Sequence, residues 1–110
     1  MKCLIGLIAL LAFAAPAFTQ DTRPDELSSA NNRLNAMYQG LLGRMTADNQ
    51  DKLKRAQRAW ITYRDLDCKW AYPAAPLDCL ISRTEERITA LGDTVFLDKA
   101  GNHSLVGKEN

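Results

Sequence analysis

Two cysteines, Cys68 and Cys79, constrain this chain most, because they remain once its N-terminal segment is interpreted as a cleaved signal peptide. Residues 1–17 combine a lysine at position 2, a long apolar run and a small-residue cleavage site ending at Ala17, which is the pattern of an export signal. Cys3 is removed with it. In the oxidising periplasmic or extracellular compartment an even pair of cysteines is expected to form a disulfide, and two free thiols are the less expected alternative.

The mature chain is predicted to be one small domain that carries no net charge. The apolar run is shorter than the ~20 residues of a membrane-spanning helix, so no stable membrane insertion is expected after the signal is removed. The full sequence has 14 basic and 13 acidic residues, so loss of Lys2 leaves 13 of each. That balance argues against a nucleic-acid partner and offers no net charge to attract a strongly charged protein.

Apolar residues recur at helical spacing in three segments that follow a flexible lead-in at 18–24. The first segment begins at Asp25. Thr46 is a suitable cap for the second and Asp78 for the third, since both side chains can accept a hydrogen bond from the first turn. Gly92 stands where the third helix is expected to stop.

The predicted fold is therefore a small all-α, three-helix bundle closed by one disulfide, over residues 25–92. Beyond it, residues 93–110 form a C-terminal tail without helical periodicity. Its short apolar run at 94–97 is expected to dock on the bundle, with the rest of the tail loose.

Several polar residues fall on the inner faces of the second and third helices, beside Trp60 and Tyr63, which we expect in the core. They are Arg64, Asp67, Thr84, Glu85 and Arg87. We expect Arg64 to pair with Asp67 or Glu85, and Asp67 to meet Arg87 or the Thr84 hydroxyl, because buried charge is usually paired. The set is interpreted as a structural network. The alternative is that part of it, Arg64 above all, opens to a binding surface.

The segment between the cysteines is the second candidate binding site. It places Lys69, Trp70 and Tyr72 beside two prolines, between disulfide-linked ends. Aromatic side chains on a rigid projection are typical anchors of protein interfaces. The alternative is that both aromatics fold back over the small core.

The sequence gives no support for catalysis or for a cofactor. His103 is the single histidine and lies in the tail, so no nucleophile–histidine pairing is indicated. No grouping of His, Asp or Glu has metal-ligand spacing. We predict a protein that is not an enzyme and that needs no metal or cofactor.

The helical segments carry two spaced motifs. They are Gln57-x-x-Trp60-x-x-Tyr63-Arg64-x-x-x-Cys68 and Cys79-x-x-x-x-Thr84-x-x-Arg87. With the apolar positions around them they resemble the N-terminal domain of the LprI-type lysozyme inhibitor family, over about residues 27–92. The resemblance implies an exported helical domain of bacterial type with its cysteines bridged. The ten residues between the cysteines are fewer than in many members.

Two functions follow from these observations. The first, implied by the resemblance, is a protein-binding domain that inhibits lysozyme by occluding its active-site cleft. The second is a structural or interaction module of the cell envelope with another protein partner. Which partner is bound, and in what oligomeric state, does not follow from the sequence.

Overall fold

The computed structural model describes residues 21–106, so the predicted signal peptide and residues 18–20 and 107–110 lie outside the described residues. Three helices, α1 (Arg23–Arg44), α2 (Ala47–Ala71) and α3 (Pro76–Gly92), are followed by two short strands, β1 (Val95–Leu97) and β2 (His103–Leu105). The predicted three-helix bundle with its disulfide is confirmed, and a small β-hairpin is added to it.

The helix starts follow from their capping chemistry. The Thr46 hydroxyl accepts a hydrogen bond from the Asn49 backbone N–H at 3.4 Å and caps α2 as predicted. The prediction for Asp78 is wrong, because α3 begins at Pro76, whose fixed φ and missing N–H suit the first helical position. Asp78 instead lies in the first turn, where the helix dipole favours a carboxylate.

The core lies mainly between α1 and α3, which share the most extensive contact of any two elements. Leu34 and Leu41 of α1 and Leu91 of α3 are buried in it, together with Phe96 of β1. Helix α2 lies against this core with partly buried side chains, including Trp60, and the only buried residues that it contributes are Gln57 and Cys68.

The disulfide between Cys68 and Cys79 fixes the end of α2 to the start of α3. Both cysteines are buried, and their Cα atoms are 5.6 Å apart. Helix α2 stops at Ala71, since Tyr72 leaves helical geometry and Pro73 follows it. The turn from 72 to 75 is thus held between two helices that are covalently joined at its base.

The β-hairpin closes the opposite end of the bundle. Its strands pair antiparallel with Phe96 opposite Ser104, and Phe96 points into the core while Val95 and Leu97 are exposed. The expected docking of the 94–97 run is confirmed. The prediction that the rest of the tail is loose is wrong up to residue 106, because β2 lies in that segment.

The hairpin turn is ordered by one carboxylate. Asp98 accepts hydrogen bonds from the backbone N–H groups of Ala100 and Asn102, both at 2.9 Å, and from the Ser104 hydroxyl at 3.0 Å. These bonds stabilise the ionised carboxylate and lower the pKa of Asp98 below its ordinary value, and the bond from the Asn102 N–H has the largest effect. Arg44 adds a bond to the Val106 carbonyl and lies over the Phe96 ring, so α1 holds both strands.

Candidate protein-binding surface

A buried polar network lies between the helices and is centred on Arg64. Its Nη1 donates to Asn31 Oδ1 at 3.0 Å and to Thr84 Oγ1 at 3.1 Å, and its Nε donates to Asp65 Oδ1 at 3.0 Å. Thr84 is completely buried and donates its own proton to the Leu80 carbonyl. One guanidinium therefore joins all three helices. Its side chain is only 12% exposed and two of its hydrogen bonds lie between the helices, so the structure favours the structural interpretation of Arg64 over a place in a binding surface.

Two guanidinium groups lie near the Trp60 ring. Arg64 is 5.2 Å from the ring centroid and Arg87 is 5.8 Å from it. Arg87 also donates through Nε to Gln57 Oε1 at 3.1 Å, and burial lowers its pKa. Trp60 thus packs against the core, as expected, and favourable cation–π contacts fix its ring.

The charged pairs differ from those expected from the sequence. Asp67 forms no hydrogen bond or ion pair with Arg64, Arg87 or Thr84. It pairs with Arg83 at 3.3 Å, and its Oδ1 accepts the indole N–H of Trp70 at 3.1 Å. Glu85 pairs with Arg33 of α1 and not with Arg64. The helical spacing placed these residues near the right faces, but the rotation of each helix against its neighbours decides which charges meet.

Arg83 is a residue that the sequence reasoning missed. It lies between Asp67 and Glu86, whose Oε2 accepts from its Nη1 at 3.2 Å, and this bond raises the pKa of Arg83. Its Nε is buried beside Asp67 without hydrogen-bond geometry. The signal available in the sequence was its spacing, since Arg83 and Glu86 are three apart on one helix.

The aromatic residues of the disulfide-closed segment are exposed. Trp70 is 77% and Tyr72 51% exposed, and Lys69 beside them is also exposed. The alternative in which these aromatics fold over the core is therefore wrong. They project from the end of α2, where the Trp70 indole is oriented by Asp67.

The prediction that Tyr63 lies in the core is wrong. It is 60% exposed and lies outside the core, as does Leu66 at the same exposed fraction. Tyr63 precedes the inward-facing Arg64 by one residue and is therefore turned about 100° from it around the helix. Tyr63, Leu66 and Trp70 are spaced i, i+3, i+7 and form one apolar stripe on the outer face of α2. That spacing was readable in the sequence, yet the stripe was not identified.

Two shallow grooves adjoin this region, one between the 72–75 turn and α3, the other between α2 and α3. One, of about 410 Å³, is lined by Tyr72, Ser82, Arg83 and Glu86 among others. The second, of about 300 Å³, continues it toward the middle of the bundle and shares Arg83 and Glu86, with Tyr63 and Trp60 on its wall. Aromatic side chains next to paired charges are the composition of many protein interfaces.

Within residues 21–106 no group of three or more His, Cys, Asp or Glu side chains has the geometry of a metal site. The helices of this range also include none with the length and apolarity needed to cross a membrane.

The fold and this surface define a small, disulfide-closed helical bundle with exposed aromatic side chains at one end. A family model, lysozyme inhibitor LprI, matches residues 19–91, which is more than half of the chain. The chain belongs to the LprI lysozyme inhibitor family. This is a family of inhibitors and not of enzymes, which is compatible with the prediction made from the sequence. No curated protein and no solved structure matches the chain.

Proposed function

We propose that this protein is exported and inhibits a lysozyme by binding it and occluding its active-site cleft. Family membership supports the activity class. The observation that carries the proposal is the exposure of Trp70 and Tyr72 on a turn whose base is closed by the disulfide. A rigid element loses little conformational entropy on binding, so its contacts contribute more fully to affinity.

The turn has the chemistry that a lysozyme cleft requires. Such a cleft presents two carboxyl groups that flank the glycosidic bond to be cleaved. The Lys69 ammonium, exposed in the last turn of α2, is the group that we assign to a carboxylate. Trp70 and Tyr72 supply apolar area and a hydroxyl for the walls of the cleft, where sugar rings otherwise lie.

Export is part of the proposal. It is supported by the signal pattern of residues 1–17 and by the disulfide, which is typical of proteins outside the cytoplasm. A lysozyme inhibitor has to meet its enzyme in that compartment.

The test is inhibition of lysis by the chain without residues 1–17. The protein is expected to slow the clearing of a peptidoglycan suspension by at least one type of lysozyme. The double variant Trp70→Ala, Tyr72→Ala should lose this effect. Its melting temperature should remain close to that of the wild type, because truncating exposed side chains changes stability by about 0.5 kcal/mol or less.

The matched control is Val95→Ala, Leu97→Ala, which removes two exposed apolar side chains at the hairpin. It should inhibit as the wild type does. Equal loss in both double variants would show that the turn is not the contact. A wild-type protein that inhibits no animal, bacteriophage or goose-type lysozyme would contradict the proposed function and favour the cell-envelope interaction module.

A further inference from the structure

The bundle has two chemically different ends, although its net charge is close to zero. One end, the disulfide end, is fixed by the Cys68–Cys79 bridge and by the ion pair of Arg23 with Asp78 at 3.0 Å. The other, the hairpin end, is fixed by the bridge between Met45 and Asp98. The level of the Arg64–Thr84 hydrogen bond separates them. With the ion pairs Arg33–Glu85 and Arg83–Glu86 kept whole, the disulfide end comprises residues 21–33 and 64–86.

Acidic and basic side chains are distributed unequally between these ends. The disulfide end holds eight carboxylates, Asp21, Asp25, Glu26, Asp65, Asp67, Asp78, Glu85 and Glu86, against five basic residues, Arg23, Arg33, Arg64, Lys69 and Arg83. The rest of the described chain holds seven basic residues, Arg44, Lys52, Lys54, Arg55, Arg58, Arg87 and Lys99, against four acidic ones, Asp48, Asp51, Asp93 and Asp98. The disulfide end therefore carries a formal charge of −3 and the hairpin end a formal charge of +3. The two cancel in the net charge.

The apolar stripe lies largely on the acidic end. Leu66 and Trp70 of the stripe lie within the disulfide end, as does Tyr72. Tyr63 adjoins this end at the middle of α2. Glu86 lines the grooves beside the stripe, and Asp78 lines the groove at Tyr72. Lys69 and Arg83 also lie here, but the disulfide end as a whole has more carboxylates than basic groups, and exposed aromatic anchors on such a surface are arranged as in a protein-docking site.

We propose that the disulfide end is the docking surface for a strongly basic protein, with Tyr63, Leu66 and Trp70 as its apolar contacts and the surrounding carboxylates guiding the approach. This inference rests on the proposed function and adds the charge class of the lysozyme and the way that the inhibitor faces it. Opposite potentials on two approaching surfaces raise the association rate and orient the encounter.

The charge also decides against other occupants of this surface. A second copy of the chain would bring its own −3 end against the same patch, if the two met symmetrically as most homodimers do. Anionic lipid headgroups and nucleic-acid phosphates would be repelled in the same way. A basic protein is the partner whose potential complements the carboxylates around the stripe.

The electrostatic part is tested with matched charge variants and a basic animal lysozyme as the probe. Asp78→Asn, Glu86→Gln at the disulfide end and Asp48→Asn, Asp51→Asn at the hairpin end change the net charge equally. All four carboxylates belong to exposed ion pairs. The first variant should lower the association rate constant on the order of fivefold at low ionic strength. The second should leave it within about twofold, since Asp48 and Asp51 lie at the opposite end of α2 from Trp70, roughly 30 Å along the helix.

The same measurement on lysozyme whose lysines have been succinylated, which reverses their charge, should show slow and weak binding. Equal effects of the two charge variants, or equally fast binding of succinylated lysozyme, would overturn the inference.

The apolar part is tested with Tyr63→Ala, Leu66→Ala, which should raise the dissociation rate constant at least tenfold, because truncated anchors act mainly on dissociation. Ile61→Ala is the control. It removes an exposed apolar side chain about 200° away around the same helix and should leave the rate unchanged.

The two proposals fail separately. Inhibition of only neutral or acidic lysozymes would overturn the docking inference and leave the proposed function standing. Charge-dependent binding of the basic enzyme without loss of its activity would support the docking surface and contradict cleft occlusion.

Discussion

At the scale of single residues, Arg64 and Tyr63 show how neighbours in sequence can have opposite roles. Arg64 uses its donors on Asn31, Asp65 and Thr84 and is nearly buried, while Tyr63 faces outward. A buried guanidinium is tolerated because its hydrogen bonds replace those with water. The residues of this network hold the helices in position, and the proposed binding surface is formed by their exposed neighbours.

Trp60→Ala is expected to lower the free energy of unfolding by about 3 kcal/mol, since it removes a large side chain packed on the core. It also removes the ring near Arg64 and Arg87. Denaturant unfolding monitored by circular dichroism measures this loss. The exposed Tyr63→Ala should change the same quantity by about 0.5 kcal/mol or less. Equal effects of the two substitutions would mean that the two faces of α2 have been assigned wrongly.

At the scale of elements, covalent and hydrogen-bonded closures compensate for a modest core. Helix α2 contributes few buried side chains, so the disulfide, which contributes about 3 kcal/mol on the chain-entropy model, is a large part of what holds its end. At the other end the hairpin covers the core with Phe96 and depends on Asp98 for its turn.

We expect the hairpin to lose stability at acid pH, when Asp98 becomes protonated. A carboxyl whose pKa is lowered in the folded state stabilises the fold fully above its ordinary pKa of 3.8 and loses that contribution as the pH falls through the lowered value. The amide NMR signals of Ala100 and Asn102 should therefore shift in a transition below pH 3.8. Asp98→Asn should abolish that transition. A midpoint at or above the ordinary value would contradict the hydrogen bonds assigned to this carboxylate.

At the scale of the whole molecule, the described residues carry no net charge and yet their charges are separated, with the disulfide end acidic and the hairpin end basic. The expectation from the sequence that no charged partner is attracted considered only the net charge and not where the charges lie. Antiparallel folding brings the acidic start of α1 to the end of α2 and the start of α3, and thereby separates the charges.

The exported protein, isolated from its native compartment, should begin near Phe18 and be lighter than its reduced form by two hydrogen atoms. Intact-mass spectrometry before and after reduction measures both properties. Expression of the chain without residues 1–17 in a reducing cytoplasm supplies the control, in which both thiols should react with an alkylating reagent. Free thiols at Cys68 and Cys79 in the exported protein would contradict the assignment of compartment and bridge together.

The sequence by itself determined the three helices, the capping by Thr46, the disulfide and the family. Each depends on local periodicity, on turn chemistry or on spaced motifs that a single segment carries. It also placed Lys69, Trp70 and Tyr72 in one segment, but it could not determine whether the aromatics were exposed.

Only the tertiary structure decided which way α2 faces. Because α1 and α3 pack mainly on each other, α2 is buried along a narrow strip, and Tyr63 and Leu66 fall outside it. The partners of Arg64, Asp67 and Glu85 were decided at the same step. Helical spacing fixes the angle of a side chain around its own axis, whereas the rotation and offset of one helix against another depend on the packing of the whole core.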